Sequence, residues 1–234
     1  MSLRSLLFVP ADRPDRFPKA AASGTDALIL DLEDSVAPER KAEGRAAIAD
    51  WLAQPRAVPA FVRVNPLDSG LTQADLAAIL PGKPDGVVLP KAEGAASIRT
   101  LLALIGDNAP PILPIATETP AALFQLGSYG DVAPHLAGLT WGAEDLPAAI
   151  GAATSREEDG HYTSPYEMVR SLTLFAAHAA GAPAIETVFP GIDAPAALAA
   201  YVARARRDGF TGMMAIHPAQ VEIINAGFTP TETE

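Results

Sequence analysis

Two acidic segments stand where apolar runs end. One is Ile115-Ala116-Thr117-Glu118-Thr119-Pro120, and the other is Leu139-Thr140-Trp141-Gly142-Ala143-Glu144-Asp145-Leu146. Carboxylates at the end of a buried strand have the chemistry of a site. A hard cation such as Mg2+ takes one or two protein carboxylates and keeps its other positions for water and substrate oxygens. The chain has no cysteine, so any metal must use oxygen or imidazole donors. Arg63, between Val62 and Val64 in a third apolar run, is a charge that needs a partner or a ligand. It suits a bidentate grip on a substrate carboxylate or a structural ion pair with Asp31 or Glu33.

Eight apolar runs recur, at 5–10, 27–32, 60–65, 86–91, 111–117, 137–142, 183–189 and 212–217. Runs apolar on both faces predict parallel strands covered by helices. Ala-rich stretches over 41–51, 95–105, 166–180 and 194–208 predict helices between them. Asp193 and Pro195 predict the start of the last of these, and Gly181 and Gly209 predict two helix ends. Eight β/α units in 234 residues imply a TIM barrel, read as a single domain over 1–234. A doubly wound sheet is the alternative. It would need a Gly-rich turn after the first strand, where the chain has Pro10-Ala11-Asp12-Arg13.

Barrel chemistry gathers at the C-terminal ends of the strands. There the sequence places Arg13, Arg16 and Lys19, then Asp31, Glu33 and Asp34, then Arg63 and Asn65, Lys91, Glu118, Glu144 and Asp145, Glu186, and His217. Glu118 and Asp145 suit metal ligation, and Asp31, Glu33 and Asp34 suit the orientation of metal-bound waters. Glu118 also suits a helix N-terminus, because Thr119-Pro120 opens a helix. Glu144 competes with Asp145 for the inward position. Lys91 suits a substrate contact or neutralisation of the acidic cluster. Arg13, Arg16 and Lys19 suit a ligand contact or a solvated helix face. His217 before Pro218 reads as a structural hydrogen-bonder, and Trp51 and Trp141 as core.

Bulk composition sets the outer limits. A net charge of −11 argues against nucleic-acid binding, which needs a basic face. No run reaches membrane-spanning length, and Leu6 to Val9 is too short for a signal sequence. With zero Cys, the expected setting is cytoplasmic.

In order along the chain, Leu7-Phe8-Val9-Pro10 with Arg13-Pro14, Leu30-Asp31-Leu32-Glu33-Asp34, Val62-Arg63-Val64-Asn65, Leu89-Pro90-Lys91, Glu118-Thr119-Pro120, Gly142-Ala143-Glu144-Asp145-Leu146 and Ala215-Ile216-His217-Pro218 resemble the citrate lyase β-subunit-like proteins. That family stands with the malyl-CoA lyases in the HpcH/HpaI aldolase group. The resemblance implies a TIM barrel, a homotrimer or hexamer, and a Mg2+-dependent carbon–carbon lyase. Its reaction cleaves or forms a short 3-hydroxyacyl-CoA from a 2-oxo acid and an acyl-CoA enolate. By motif position Glu118 and Asp145 resemble the metal ligands, and Arg63 the contact to the substrate carboxylate. Arg13, Arg16 and Lys19 fall in the segment that lies near the CoA phosphates in relatives. Two departures stand out. Glu186 occupies a position where relatives carry aspartate. The C-terminal lid, which in relatives supplies an aspartate to a neighbouring subunit, is expected to be lacking in a chain that stops at Glu234. Two other readings share the same metal plan: a CoA-independent class II 4-hydroxy-2-oxo acid aldolase, and a lidless metal- and oxo-acid-binding subunit without lyase activity of its own.

Overall fold

The computed structural model describes residues 3–230. Residues 231–234, at which the expected lid would continue, lie outside the described residues. The strands are β1 (Ser5–Pro10), β2 (Ala27–Asp31), β3 (Ala60–Arg63), β4 (Gly86–Leu89), β5 (Ile112–Pro114), β6 (Leu139–Thr140), β7 (Ala184–Glu186) and β8 (Gly212–Ala215). All pair in parallel, in the order β5-β4-β3-β2-β1-β8-β7-β6. The ends of this order meet through loop residues: Ala137 N–H donates to Ile112 O at 2.8 Å, and Ala116 N–H to Thr140 O at 2.8 Å. These bonds close the eight strands into a (β/α)8 barrel, as the sequence predicts.

Helices cover the outside: α1 (Phe17–Ala21), α2 (Lys41–Leu52), α3 (Thr72–Ile79), α4 (Ala95–Ile105), α5 (Pro120–Leu123), α6 (Leu146–Ile150), α7 (Ser164–Ala179), α8 (Pro195–Asp208) and α9 (Pro218–Phe228). Successive strand residues face opposite sides, which divides the core in two. Leu6, Ala27, Ile29, Phe61, Val88, Leu113, Ile115, Ile185 and Met214 fill the interior, while Leu7, Leu28, Leu30 and Val62 pack outward against the helices. The same alternation turns Phe8, Asp31 and Arg63 inward at the top of the barrel.

The expected strands overrun the observed ones at their C-terminal ends. Asn65, Lys91, Thr117, Gly142, Phe189 and His217 all lie past the ladders. After β3, β5 and β6 these segments stay apolar because the strand-to-loop turns are themselves buried, so hydrophobicity alone does not mark where pairing stops. Helix α8 begins one residue later than expected. Ala194, not Asp193, is its N-cap, with no side-chain capping bond. The proline at 195 forces the residue before it out of the helical region. Gly209 ends α8 at φ +113°, as expected.

Inside the barrel Gly86 lies opposite Phe61 in register, and a Cβ there would sit 2.1 Å from the Phe61 ring. Gly86→Ala is therefore expected to lower unfolding free energy by about 1–3 kcal/mol through overpacking. Denaturant titration checks this, and an unchanged midpoint would contradict the packing described.

Candidate active site

A cavity of about 290 Å3 opens at the C-terminal end of the barrel. Asp31, Asp34, Arg63, Glu118, Glu144 and Asp145 provide its charged lining, and Phe8, Ile115, Trp141, Val188, Met214 and Ile216 its apolar walls. These residues come from the ends of different strands, which the register brings level. Pro10 pairs with Asp31, and Asp31 pairs with Arg63.

Arg63 is the centre of the charge network. Its Nε and Nη2 donate to the two Asp31 oxygens at 2.6 and 2.7 Å. Its Nη1 lies 2.9 Å from Glu33 Oε2, an ion pair without an aligned hydrogen bond. The guanidinium carbon stands 4.8 Å over the Phe8 ring. Burial opposes the Arg63 charge, but the Asp31 and Glu33 carboxylates outweigh it and raise its pKa. Burial also disfavours the Asp31 carboxylate. Arg63, Ser35 and the Glu33 amide nevertheless hold Asp31 below its ordinary range. Burial pushes Glu33 up, and Asp34 adds to this, against Arg63 and Lys91.

Glu118 is the least compensated charge. It is 3% exposed, and among the described residues no lysine or arginine pairs with it. Its hydrogen bond comes from the Lys91 backbone N–H. Lys91 has φ +50°, a left-handed conformation that costs a non-glycine residue roughly 1–2 kcal/mol. Burial pushes the Glu118 carboxyl up to about 8; Glu33 and Asp145 add to the rise and the Lys91 amide opposes it. Gly142 makes room for this side chain, since a Cβ there would lie 2.5 Å from Glu118 Cγ. Thr119 caps α5 by accepting from Ala122 N–H at 3.2 Å, so Glu118 is the residue before a capped helix, as its sequence implies.

The sequence-predicted residues divide into two groups. Arg63, Glu118, Asp145, Asp31 and Asp34 share the cavity. Glu33 and Lys91 stand behind it: Lys91 Nζ reaches Glu33 Oε1 at 2.6 Å and Asp145 Oδ1 at 3.8 Å, which fits its neutralising alternative. Asp145 is half-buried beside an exposed Glu144. Arg13, Arg16 and Lys19 are outside the cavity lining, and Arg13 pairs with Asp15 at 3.1 Å. Glu186 is fully buried, bound by Arg170 Nε at 2.7 Å and by the Trp141 indole, and anchors α7 to the barrel. His217 caps α9, its Nδ1 accepting from Ala219 N–H at 3.2 Å.

Two groups escaped the sequence reading. The buried Lys41 ammonium donates to Leu32 O, Glu33 O and Asn65 Oδ1 at 2.7, 2.8 and 2.8 Å. Ser35 Oγ donates to Asp31 Oδ2 at 2.5 Å. Lys41 is masked in sequence by its place at the start of an ordinary charged helix, where it reads as solvated.

The fold and site together define a (β/α)8 barrel with an acidic, arginine-bearing cavity at the strand ends. The profile of the HpcH/HpaI aldolase/citrate lyase family matches residues 4–218, and the chain belongs to that family. A citrate lyase subunit beta-like protein of Mycobacterium tuberculosis is 36% identical over 225 residues, covering 96% of this chain and 78% of the relative. A (3S)-malyl-CoA thioesterase of Cereibacter sphaeroides is 33% identical over 234 residues, covering 99% of this chain and 79% of the relative. CitE from Mycobacterium tuberculosis, solved with magnesium, acetoacetate and coenzyme A, has a TM-score of 0.87 at 35% identity. That match covers 99% of this chain and 83% of CitE. Among the described residues no helix is long and apolar enough to cross a membrane.

The raised Glu118 pKa has a sign that can be measured. The unfolded carboxyl loses its proton near 4.5 and the folded one near 8, so between these values the native state binds more protons. Stability of the metal-free protein is therefore expected to fall as pH rises through that window. Glu118→Gln is expected to remove this part of the decline in denaturant titrations from pH 5 to 9. An identical pH slope in the two proteins would contradict the burial argument.

Proposed function

We propose that this protein is a Mg2+-dependent carbon–carbon lyase of the citrate lyase β-like type. It cleaves or forms a short 3-hydroxyacyl-CoA, joining a 2-oxo acid to an acyl-CoA. The observation that carries this reading is one cavity shared by a buried Glu118, a half-buried Asp145 and a fixed Arg63. A cytoplasmic homotrimer or hexamer belongs to the same reading.

The donor set fits Mg2+. Glu118 and Asp145 offer hard oxygens, no lysine or arginine among the described residues pairs with Glu118, and glycine at 142 leaves its carboxylate room. Among the described residues no three acidic or histidine side chains cluster closely enough to hold a metal alone. Mg2+ needs fewer, since waters and substrate oxygens complete its shell. Bound there, the ion supplies positive charge beside the substrate oxygens on which negative charge develops.

The chain's own residues bind and orient. Asp31 occupies Nε–H and one Nη2–H of Arg63, and Glu33 attracts Nη1 without an aligned hydrogen bond, so the other Nη2–H and the Nη1–H groups are the donors for one substrate carboxylate. Phe8 supports the guanidinium plane, and with Ile115, Val188 and Met214 it keeps water from the reacting carbons. Similarity to the malyl-CoA thioesterase supports a second reading, hydrolysis of the same kind of thioester. Free CoA thiol without acyl-CoA and oxo acid would identify it.

Calorimetric titration with pyruvate tests the binding half. Wild type is expected to bind only with Mg2+ present, and Glu118→Gln and Asp145→Asn to lose that dependence. Arg63→Lys is expected to weaken binding by at least about tenfold through loss of the bidentate grip. Undiminished Mg2+-dependent binding in both carboxylate variants would overturn the reading.

A further inference from the structure

Cleavage of a 3-hydroxyacyl thioester needs a group that carries one proton. The O–H bond on C3 breaks, the C2–C3 bond breaks, and a C–H bond forms on C2. Of the cavity carboxylates, Asp31 has both oxygens occupied by Arg63, Ser35 and the Glu33 amide. Glu118 and Asp145 are taken by the proposed metal, and Glu144 adjoins Asp145. Asp34 and Glu144 both line the cavity, both are exposed, and among the described residues no hydrogen bond or ion pair reaches either side chain; Asp34 differs in standing on a loop that the buried Asp31 carboxylate organises.

The loop that carries Asp34 is held from both sides. Asp31 Oδ1 accepts from Glu33 N–H at 2.9 Å, and Oδ2 from Ser35 N–H at 3.2 Å. Val36 N–H donates to Glu33 O at 3.0 Å, and Lys41 Nζ binds Leu32 O and Glu33 O. Backbone on each side of Asp34 is thus fixed to a buried anion and a buried cation, while the carboxylate itself is left free. A rigid scaffold that presents one uncommitted acid to a cavity is the arrangement acid–base catalysis requires.

We propose that Asp34 is the catalytic acid–base of this site, supplied by the chain's own β2–α2 loop. Its carboxylate takes the C3 hydroxyl proton as the C2–C3 bond breaks. The bonding pair passes to C2, conjugated with the thioester carbonyl, and the C3 oxygen becomes the carbonyl of the 2-oxo acid. Asp34 then returns the proton to C2, giving the acyl thioester and restoring its own charge. No further reactant is needed. The assignment rests on the lyase reading above.

The test compares wild type with Asp34→Asn, a near-isosteric change at an exposed position, with Mg2+ present. Turnover of a panel of short 3-hydroxyacyl-CoA thioesters (malyl-CoA and citramalyl-CoA) is followed by release of oxo acid. Pyruvate affinity is measured by calorimetry, and exchange of acyl-CoA α-protons with solvent deuterium by NMR. Asp34→Asn is expected to lose roughly 10²–10⁴-fold in kcat and to lose exchange, with pyruvate affinity within about twofold of wild type. Near-wild-type turnover in Asp34→Asn would overturn the assignment and leave the lyase reading standing, as would the same loss confined to Glu144→Gln. Absence of turnover in wild type with every thioester, while pyruvate still binds, would overturn the lyase reading and the assignment with it.

Discussion

The bidentate pair between Arg63 and Asp31 is the interaction on which the site depends. It joins adjacent strands at the level where the barrel interior gives way to the cavity, with Asp31 1% exposed. Removing two charges from water is costly, and a pair of apolar residues would pack the same space at less cost. What the pair supplies is position. It fixes the Nε–Nη2 edge of the guanidinium on Asp31. It also organises the Asp31–Ser35 turn, because the carboxylate that holds Arg63 also accepts the Glu33 and Ser35 amides.

A second layer supports this pair. Lys41 saturates its three protons on two carbonyls of the β2 loop and on Asn65. Asn65 in turn donates to Asp75, whose other oxygen accepts from Arg45 at 2.7 Å. The loops after β2 and β3 are therefore one hydrogen-bonded unit. Elsewhere in the cavity wall, Glu118 has the opposite character: buried, paired with no lysine or arginine among the described residues, and met by the amide of a strained Lys91. Strain of this kind persists where the surroundings over-determine it. Arg63, fixed between two carboxylates, and Glu118, whose carboxyl burial pushes up to about 8, line the same cavity.

Much of this was legible in the sequence. Apolar runs with β-branched residues located all eight strands, because parallel strands buried on both faces cannot hide polar positions. Glu118, Asp145 and Arg63 stood out because a charge inside or just after such a run calls for a partner, a ligand or a helix terminus. What stayed illegible depended on side-chain reach. Lys41 looks like a surface residue at the start of α2 until its amine is seen under the β2 loop. Glu186 looks like a site residue at a strand end until it is found facing Arg170 of α7. Arg63 was open between ligand and ion pair. The geometry places it in the ion pair, at the wall of the cavity.

The most direct measurement is a crystal structure of the protein soaked with Mg2+ and pyruvate. Density for the ion is expected at the Glu118 and Asp145 carboxylates, with the pyruvate carboxylate on Arg63. Pyruvate bound elsewhere, or an ion that touches neither carboxylate, would contradict this arrangement.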